Sequence, residues 1–310
     1  MARVAVPEIP GGRVVVLAGP GVIDANALAG LRSFAAARGL GVANTWGAKG
    51  VFDWDSPHHL GTCGLQARDF ELLGWSAADA IIATGIDGAE SPRSRFALAP
   101  VIDVDPGDLA ELAARAEEQA TAAPAATLPI VNELYPRLAA VAQPGFVDEK
   151  VPLHPARAVA DLGAVLPPGG LVTADPGLAG LWVARTFPTP ALTPGAGRRV
   201  VVPAVRTGGL AARLAIEAAR AGRPAIVVTT TPIDTATTSE CAIADEEDLD
   251  LVVVVWGPGG RLGAADEHRE RLADALATPG VTTLEVPVAL EDTEFLIEAA
   301  GEVVAWDGLA

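Results

Sequence analysis

Short apolar bursts, each followed by a glycine-rich turn and a longer stretch of helical spacing, recur along this chain. Arg13–Ala18, Gly41–Asn44, Ala80–Thr84 and Pro100–Val104 read as strands. After the first, Asp24 is placed to cap a helix carrying Ala27, Leu28, Leu31, Phe34 and Ala35 on one face. Strands that are continuously hydrophobic and separated by helices belong to parallel sheets covered on both faces. The spacing predicts such an α/β domain over residues 1–120, closing with a helix over Asp108–Ala120.

The pattern then softens. Ala120–Thr127 is small and proline-interrupted, Leu128–Val141 has helical spacing, and Gln143–Pro152 reads as a linker, so 121–152 is expected to be a connection containing one helix. Over 153–310 the alternation restarts. Strands are expected at Leu171–Ala174, Val200–Pro203, Ala225–Thr229, Leu251–Trp256 and Thr282–Val286. Helices are expected at Pro155–Leu166, Leu210–Arg220, Arg261–Ala277 and Asp292–Ala300. The fold class is therefore two tandem α/β domains with parallel sheets and helices on both faces.

Composition narrows the functions available. Half of the 310 residues are hydrophobic and the mean hydropathy is +0.33, yet no apolar run approaches the ~18–20 residues a spanning helix needs. Met1–Val6 lacks the apolar centre of a signal peptide, which makes the cytoplasm the expected compartment. The formal charge of −17, with no basic run longer than Arg198-Arg199, disfavours nucleic acid and anionic membrane as partners. Cys63 and Cys241 make neither a disulfide framework nor a metal set and read as buried thiols.

In parallel α/β sheets, ligands gather beyond the carboxyl ends of the strands. The loops there read Gly19-Pro20-Gly21, Asn44 to Gly50, Thr84-Gly85-Ile86-Asp87 and Asp103-Val104-Asp105-Pro106. The first lacks the third glycine of a dinucleotide fingerprint, since Asp24 stands there. It suits either an anion at a helix start or a plain tight turn. His58-His59 has no third ligand nearby in sequence and does not read as a metal site.

Taken in order, Thr45-Trp46-Gly47-Ala48-Lys49-Gly50, His59-Leu60-Gly61-Thr62-Cys63-Gly64, Ala78-Asp79-Ala80-Ile81-Ile82 and Asp103-Val104-Asp105-Pro106 resemble the central domain of thiamine-diphosphate (ThDP) enzymes of the acetolactate synthase type. Ala48 departs from the glycine usual before the lysine. The resemblance implies a nucleotide-type fold in which Gly19, Gly21, Thr45, Asp87, Asp103 and Asp105 line the position of an FAD- or ADP-type ligand. Asp103 and Asp105 would accept from ribose hydroxyls or, alternatively, cap the helix beginning near Asp108.

The second half resembles the family's diphosphate-binding domain through His154-Pro155, Leu171 to Leu178, Trp182 and Arg223 to Val228. The family's Gly-Asp-Gly and its asparagine turn, which hold Mg²⁺ and the diphosphate, are replaced by Thr229-Thr230-Thr231-Pro232 and Trp256-Gly257-Pro258-Gly259-Gly260. Thr230, Thr231 and Gly257 stand where cofactor contacts would be, and none carries charge. Asp234, Glu246, Glu247 and Asp248 are expected to face solvent or cap a helix. His154 is expected at a helix start and His268 on an exposed helix face. No Ser-His-Asp, HExxH or Walker spacing offers other chemistry.

The resemblance implies a homo-oligomer, or a hetero-complex with a polypeptide carrying the pyrimidine-binding domain. Three functions follow from it. One is a subunit of a split ThDP-dependent decarboxylase or carboligase acting on 2-oxo acids or acyl compounds, binding ThDP with Mg²⁺ only beside its partner. The second is a non-catalytic relative serving as scaffold or regulator. The third is a nucleotide- or CoA-binding module working through the first domain.

Overall fold

The computed structural model describes residues 6–122 and 131–309; the sequence features placed at 1–5 and 123–130, and Ala310, lie outside the described residues. Two compact units emerge: residues 1–136 with 190–198, and residues 137–189 with 199–310.

The first unit begins with β1 (Val14–Ala18), α1 (Gly21–Asp24), α2 (Leu28–Arg38), β2 (Gly41–Thr45) and β3 (His59–Cys63). It continues through α3 (Asp69–Leu72), β4 (Ala80–Thr84), α4 (Arg93–Phe96), β5 (Val101–Val104) and α5 (Leu109–Ala122). All its strand pairings are parallel, in the order β3-β2-β1-β4-β5. Val14, Val16, Val42 and Ile82 project from one face into Leu28, Leu31 and Phe34 of α2 and Leu109 and Leu112 of α5.

Asp24 does not cap α2. Asn26 adopts a left-handed conformation (φ 53°) that ends the one-turn α1, so α2 starts afresh after Ala27, without a side-chain cap. The expected helix at Asp108 begins as a 3₁₀ turn, Pro106–Asp108, before α5. The strand β3 was not predicted. It is an edge strand holding Gly61 and Thr62, too short and polar to show a period, and its pairing with β2 slips between Val42 and Ala43.

Next in the chain is α6 (Leu134–Phe146). Asn132 fixes its start, accepting from the Leu134 and Tyr135 N–H groups at 3.0 and 3.4 Å. It runs on through Pro144, so the linker expected from Gln143 starts only after Phe146.

The second unit contains α7 (Pro155–Val165), β6 (Leu171–Ala174), α8 (Leu178–Thr186), β7 (Val200–Val201), α9 (Leu210–Arg220) and β8 (Ala225–Thr230). It ends with α10 (Thr235–Glu246), β9 (Leu251–Gly257), α11 (Asp266–Ala277), β10 (Val281–Pro287) and α12 (Thr293–Ala300). These strands also pair in parallel, in the order β10-β9-β8-β6-β7. The core packs Ala211, Ala212, Ala215 and Ile216 of α9 against Val227, Val253 and Val255.

His154 caps α7, its Nδ1 accepting from the Ala156 N–H at 3.0 Å. His268 is corrected: it is fully buried, not exposed. With Leu272 and Ala275 it forms the inward i, i+4, i+7 stripe of α11, and its Nδ1 lies 3.0 Å from Asp161 of α7. Arg157 and Arg269 also donate to Asp161, at 3.1 and 2.9 Å. Of the two thiols, Cys63 is buried and Cys241 only half-buried. No helix among the described residues is long and apolar enough to cross a membrane.

Candidate functional site

In the first sheet the chain fills strands on one side of β1 and then returns to the other, so the topological switch lies between β1 and β4. Backbone closes this crevice. The Gly19 N–H donates to Thr84 O and the Gly21 N–H to Gly85 O, both at 2.9 Å, and the Val22 N–H to Gly19 O at 3.1 Å. A Cβ on Gly19 would collide with the Gly85 carbonyl, and one on Gly21 would lie 2.8 Å from Gly85 Cα. The glycines thus let two turns touch, and their N–H groups are committed within the fold.

Thr45, at the end of β2, is fully buried beside Glu90. The Gly47 N–H donates to Glu90 Oε2 at 3.2 Å. Burial pushes the Glu90 carboxyl up to about 7, against the pull of the Thr45 hydroxyl and the Gly47 N–H. Nearby, burial and the Lys49 charge push the His59 imidazole down to about 4. Sequence reasoning passed over Glu90 because a lone glutamate in a loop carries no pattern.

Beyond β4 and β5 lies an open pocket of about 620 Å³ whose walls include Gly85, Ser91, Arg93, Asp103 and Asp105. Asp103 is held by Arg93 at 2.7–2.8 Å, and Asp105 caps the 3₁₀ turn, accepting from the Gly107 N–H at 2.8 Å. Asp87 accepts from the Ala89 N–H at 2.9 Å within its own loop. The structure therefore brings Asp103 and Asp105 to one pocket, while Gly19, Gly21 and Thr45 sit at the ends of β1 and β2 outside its lining. Ser91 Oγ is buried at this pocket without a hydrogen-bond partner. A ribose-type hydroxyl fits that hydroxyl and the neighbouring carboxylates, whereas Arg93 is the cation at hand for a phosphate and is already paired.

In the second unit the switch lies between β6 and β8. Asp175 follows β6. Burial raises its carboxyl, the Thr229 hydroxyl bonded to it pulls it back, and the negative charge of Asp234 pushes it up again. Thr230 pairs with Trp256 in the β8–β9 ladder, and the Thr231 N–H donates to Trp256 O at 3.0 Å. The Thr231 side chain packs where a Cβ on Gly257 would be. The three residues singled out in sequence are thus close together, with Thr231 packed over Gly257. Asp234 caps α10, its carboxylate accepting from the Thr237 N–H and hydroxyl at 2.9 and 2.7 Å. Burial and the charges of Asp175, Glu240 and Asp234 raise the Cys241 thiol above its ordinary range.

Magnesium requires hard oxygen ligands, including carboxylate, in near-octahedral geometry. The turns after β8 and β9 offer threonine hydroxyls and glycine backbone; of the carboxylates beside them, Asp175 is bonded to the Thr229 hydroxyl and Asp234 is spent on its helix. These residues do not fit a Mg²⁺–diphosphate group. Among the described residues no cluster of three His, Cys, Asp or Glu is placed to hold a metal.

An α/β domain with this order of loops defines a class of protein, and a family model agrees over that domain. Residues 11–129 match the family described as thiamine pyrophosphate enzyme, central domain. The match covers that domain alone, 11–129 of the 310 residues. A solved structure from Mycobacterium smegmatis, of a candidate thiamin diphosphate-dependent enzyme, is similar with a TM-score of 0.61 at 18% identity, over 89% of this chain. The chain spans 61% of that protein's length, and the likeness is one of fold. Comparison with curated proteins gives no match.

Proposed function

We propose that this chain is a non-catalytic subunit of the thiamine-diphosphate family, a scaffold or regulatory partner that does not itself hold ThDP with Mg²⁺. One observation carries the reading. At the ends of β8 and β9, Thr231 packs onto Gly257 and Asp234 is bound to its own helix. The two carboxylates beside these turns are committed within the fold, Asp175 to the Thr229 hydroxyl and Asp234 to its helix. Family architecture supports a homo-oligomer or a complex with a pyrimidine-domain polypeptide as its working form.

Calorimetry with ThDP and Mg²⁺ tests this, on the chain alone and with any polypeptide that co-purifies with it. The proposal expects no micromolar, metal-dependent binding in either. Binding by the isolated chain would refute it, and binding only in the mixture would favour a split decarboxylase or carboligase acting on 2-oxo acids or acyl compounds. A second reading, a nucleotide- or CoA-type ligand in the first unit, is favoured by the unpartnered Ser91 hydroxyl in the pocket beyond β4 and β5. ADP in the same titration addresses it.

A further inference from the structure

Residues 190–198 lie far along the sequence from the first sheet, yet they complete its unit. Leu192 is buried in the core that α2 and β1 build, with Ala48, Val51 and Phe52. Its N–H donates to Gly50 O at 2.8 Å, and the Ala191 N–H donates to Asp53 Oδ1 at 2.9 Å. At the far end, Arg198 pairs with Asp24 at 2.6 Å.

The centre of this arrangement is Arg32, on α2. Its Nε donates to Val51 O at 2.7 Å, and its Nη2 donates to Gly50 O at 3.1 Å and to Leu192 O at 2.8 Å. One guanidinium thus ties the end of the Thr45–Gly50 motif loop and the returning segment to a single helix. A planar fork of donors does this; a lysine ammonium, a point charge on a flexible stem, does not reproduce it.

The segment has no ladder or helix bonds of its own, and Thr193–Gly197 are all exposed. What holds it is one apolar side chain and a few hydrogen bonds at its edges. Regions secured by so few contacts open locally, at a free energy well below that of global unfolding. Opening here withdraws Leu192 from beside Ala48 and Val51, and it takes from Gly50 O one of its two donors. Release of the segment therefore removes a packing neighbour and a hydrogen-bond donor from the end of the motif loop.

We propose that Pro190–Arg198 is a detachable strap, held by Arg32, whose docking orders the Thr45–Gly50 loop. This stands apart from whether the chain binds ThDP. Native-state hydrogen exchange on the full chain is the test, comparing the Leu192 amide with amides of β1 and β4 at low urea. The strap requires Leu192 to exchange through an opening that urea barely affects, while β1 and β4 stay protected. Arg32→Lys should raise exchange at Leu192 about tenfold, the scale for losing a hydrogen bond to a charged group. It should speed tryptic cleavage after Arg198 to match, with β1 and β4 unchanged. If Leu192 in the wild type exchanges only together with β1 and β4, the strap is an integral part of the sheet's core and the proposal fails. It fails equally if Arg32→Lys folds normally and leaves the Leu192 rate where it was.

Discussion

Replacing Glu90 with glutamine should remove most of a pH dependence of stability that this one carboxyl creates. Glu90 is 4% exposed, and its carboxyl titrates at about 7 in the folded chain against an ordinary 4.5. Raised above its unfolded value, it holds its proton more tightly when folded. Its contribution is therefore complete below about 4.5 and is lost as pH rises through 7. At ~1.4 kcal/mol per pH unit, the difference amounts to about 3 kcal/mol of stability lost across that window. Glutamine is neutral throughout, keeps the shape, and retains one oxygen to accept from the Gly47 N–H. Glu90→Gln should match the wild type near pH 5 and exceed it by about 2–3 kcal/mol at pH 8. In melting temperature that is roughly 5–10 °C for a unit of this size. Urea unfolding at half-unit steps from pH 5 to 8 measures it. Parallel profiles for the two proteins would show that burial does not raise the Glu90 carboxyl as described above.

Two further substitutions probe the frames around the candidate sites. Asp161→Ala leaves the buried Arg157 and His268 without their shared carboxylate and should cost ~3–5 kcal/mol by urea unfolding; a cost under about 1 kcal/mol would mean the cluster is hydrated rather than paired. Gly85→Ala forces a Cβ to 2.5 Å from Val22 N at a φ of 61° and should cost about 2–4 kcal/mol. A variant melting with the wild type would contradict the turn-on-turn contact.

The interior strands were legible because full burial on both faces demands unbroken apolar runs, as in Val14–Ala18, Ala80–Thr84 and Leu251–Gly257. The strand His59–Cys63 was not, since His59, Gly61 and Thr62 break any apolar run, whereas the edge strands Val101–Val104 and Val281–Pro287 keep enough apolar residues to show. α10 was hidden by its threonines, poor helix formers, and is started instead by the Asp234 cap. His268 misled because it lies among charged neighbours; only the position of Leu272 and Ala275, one and two turns on, marks its side of α11 as the inner one. At the candidate sites, loop order along the chain singled out strand ends at the switch points. It could not reveal that Gly19 and Gly21 meet Gly85, or that Thr231 covers Gly257, because those contacts join residues distant in sequence.

Because Leu192 fills the first unit's core from a position far beyond Pro136, the two units are interleaved along the gene rather than consecutive. A recombination event, or a fragment, that kept only residues up to Pro136 would carry a leucine-sized void beside Ala48 and Val51, at a cost of ~2–5 kcal/mol, and leave Arg32 with one carbonyl fewer to bind. The second unit would in turn inherit a loop shaped for something it no longer touches.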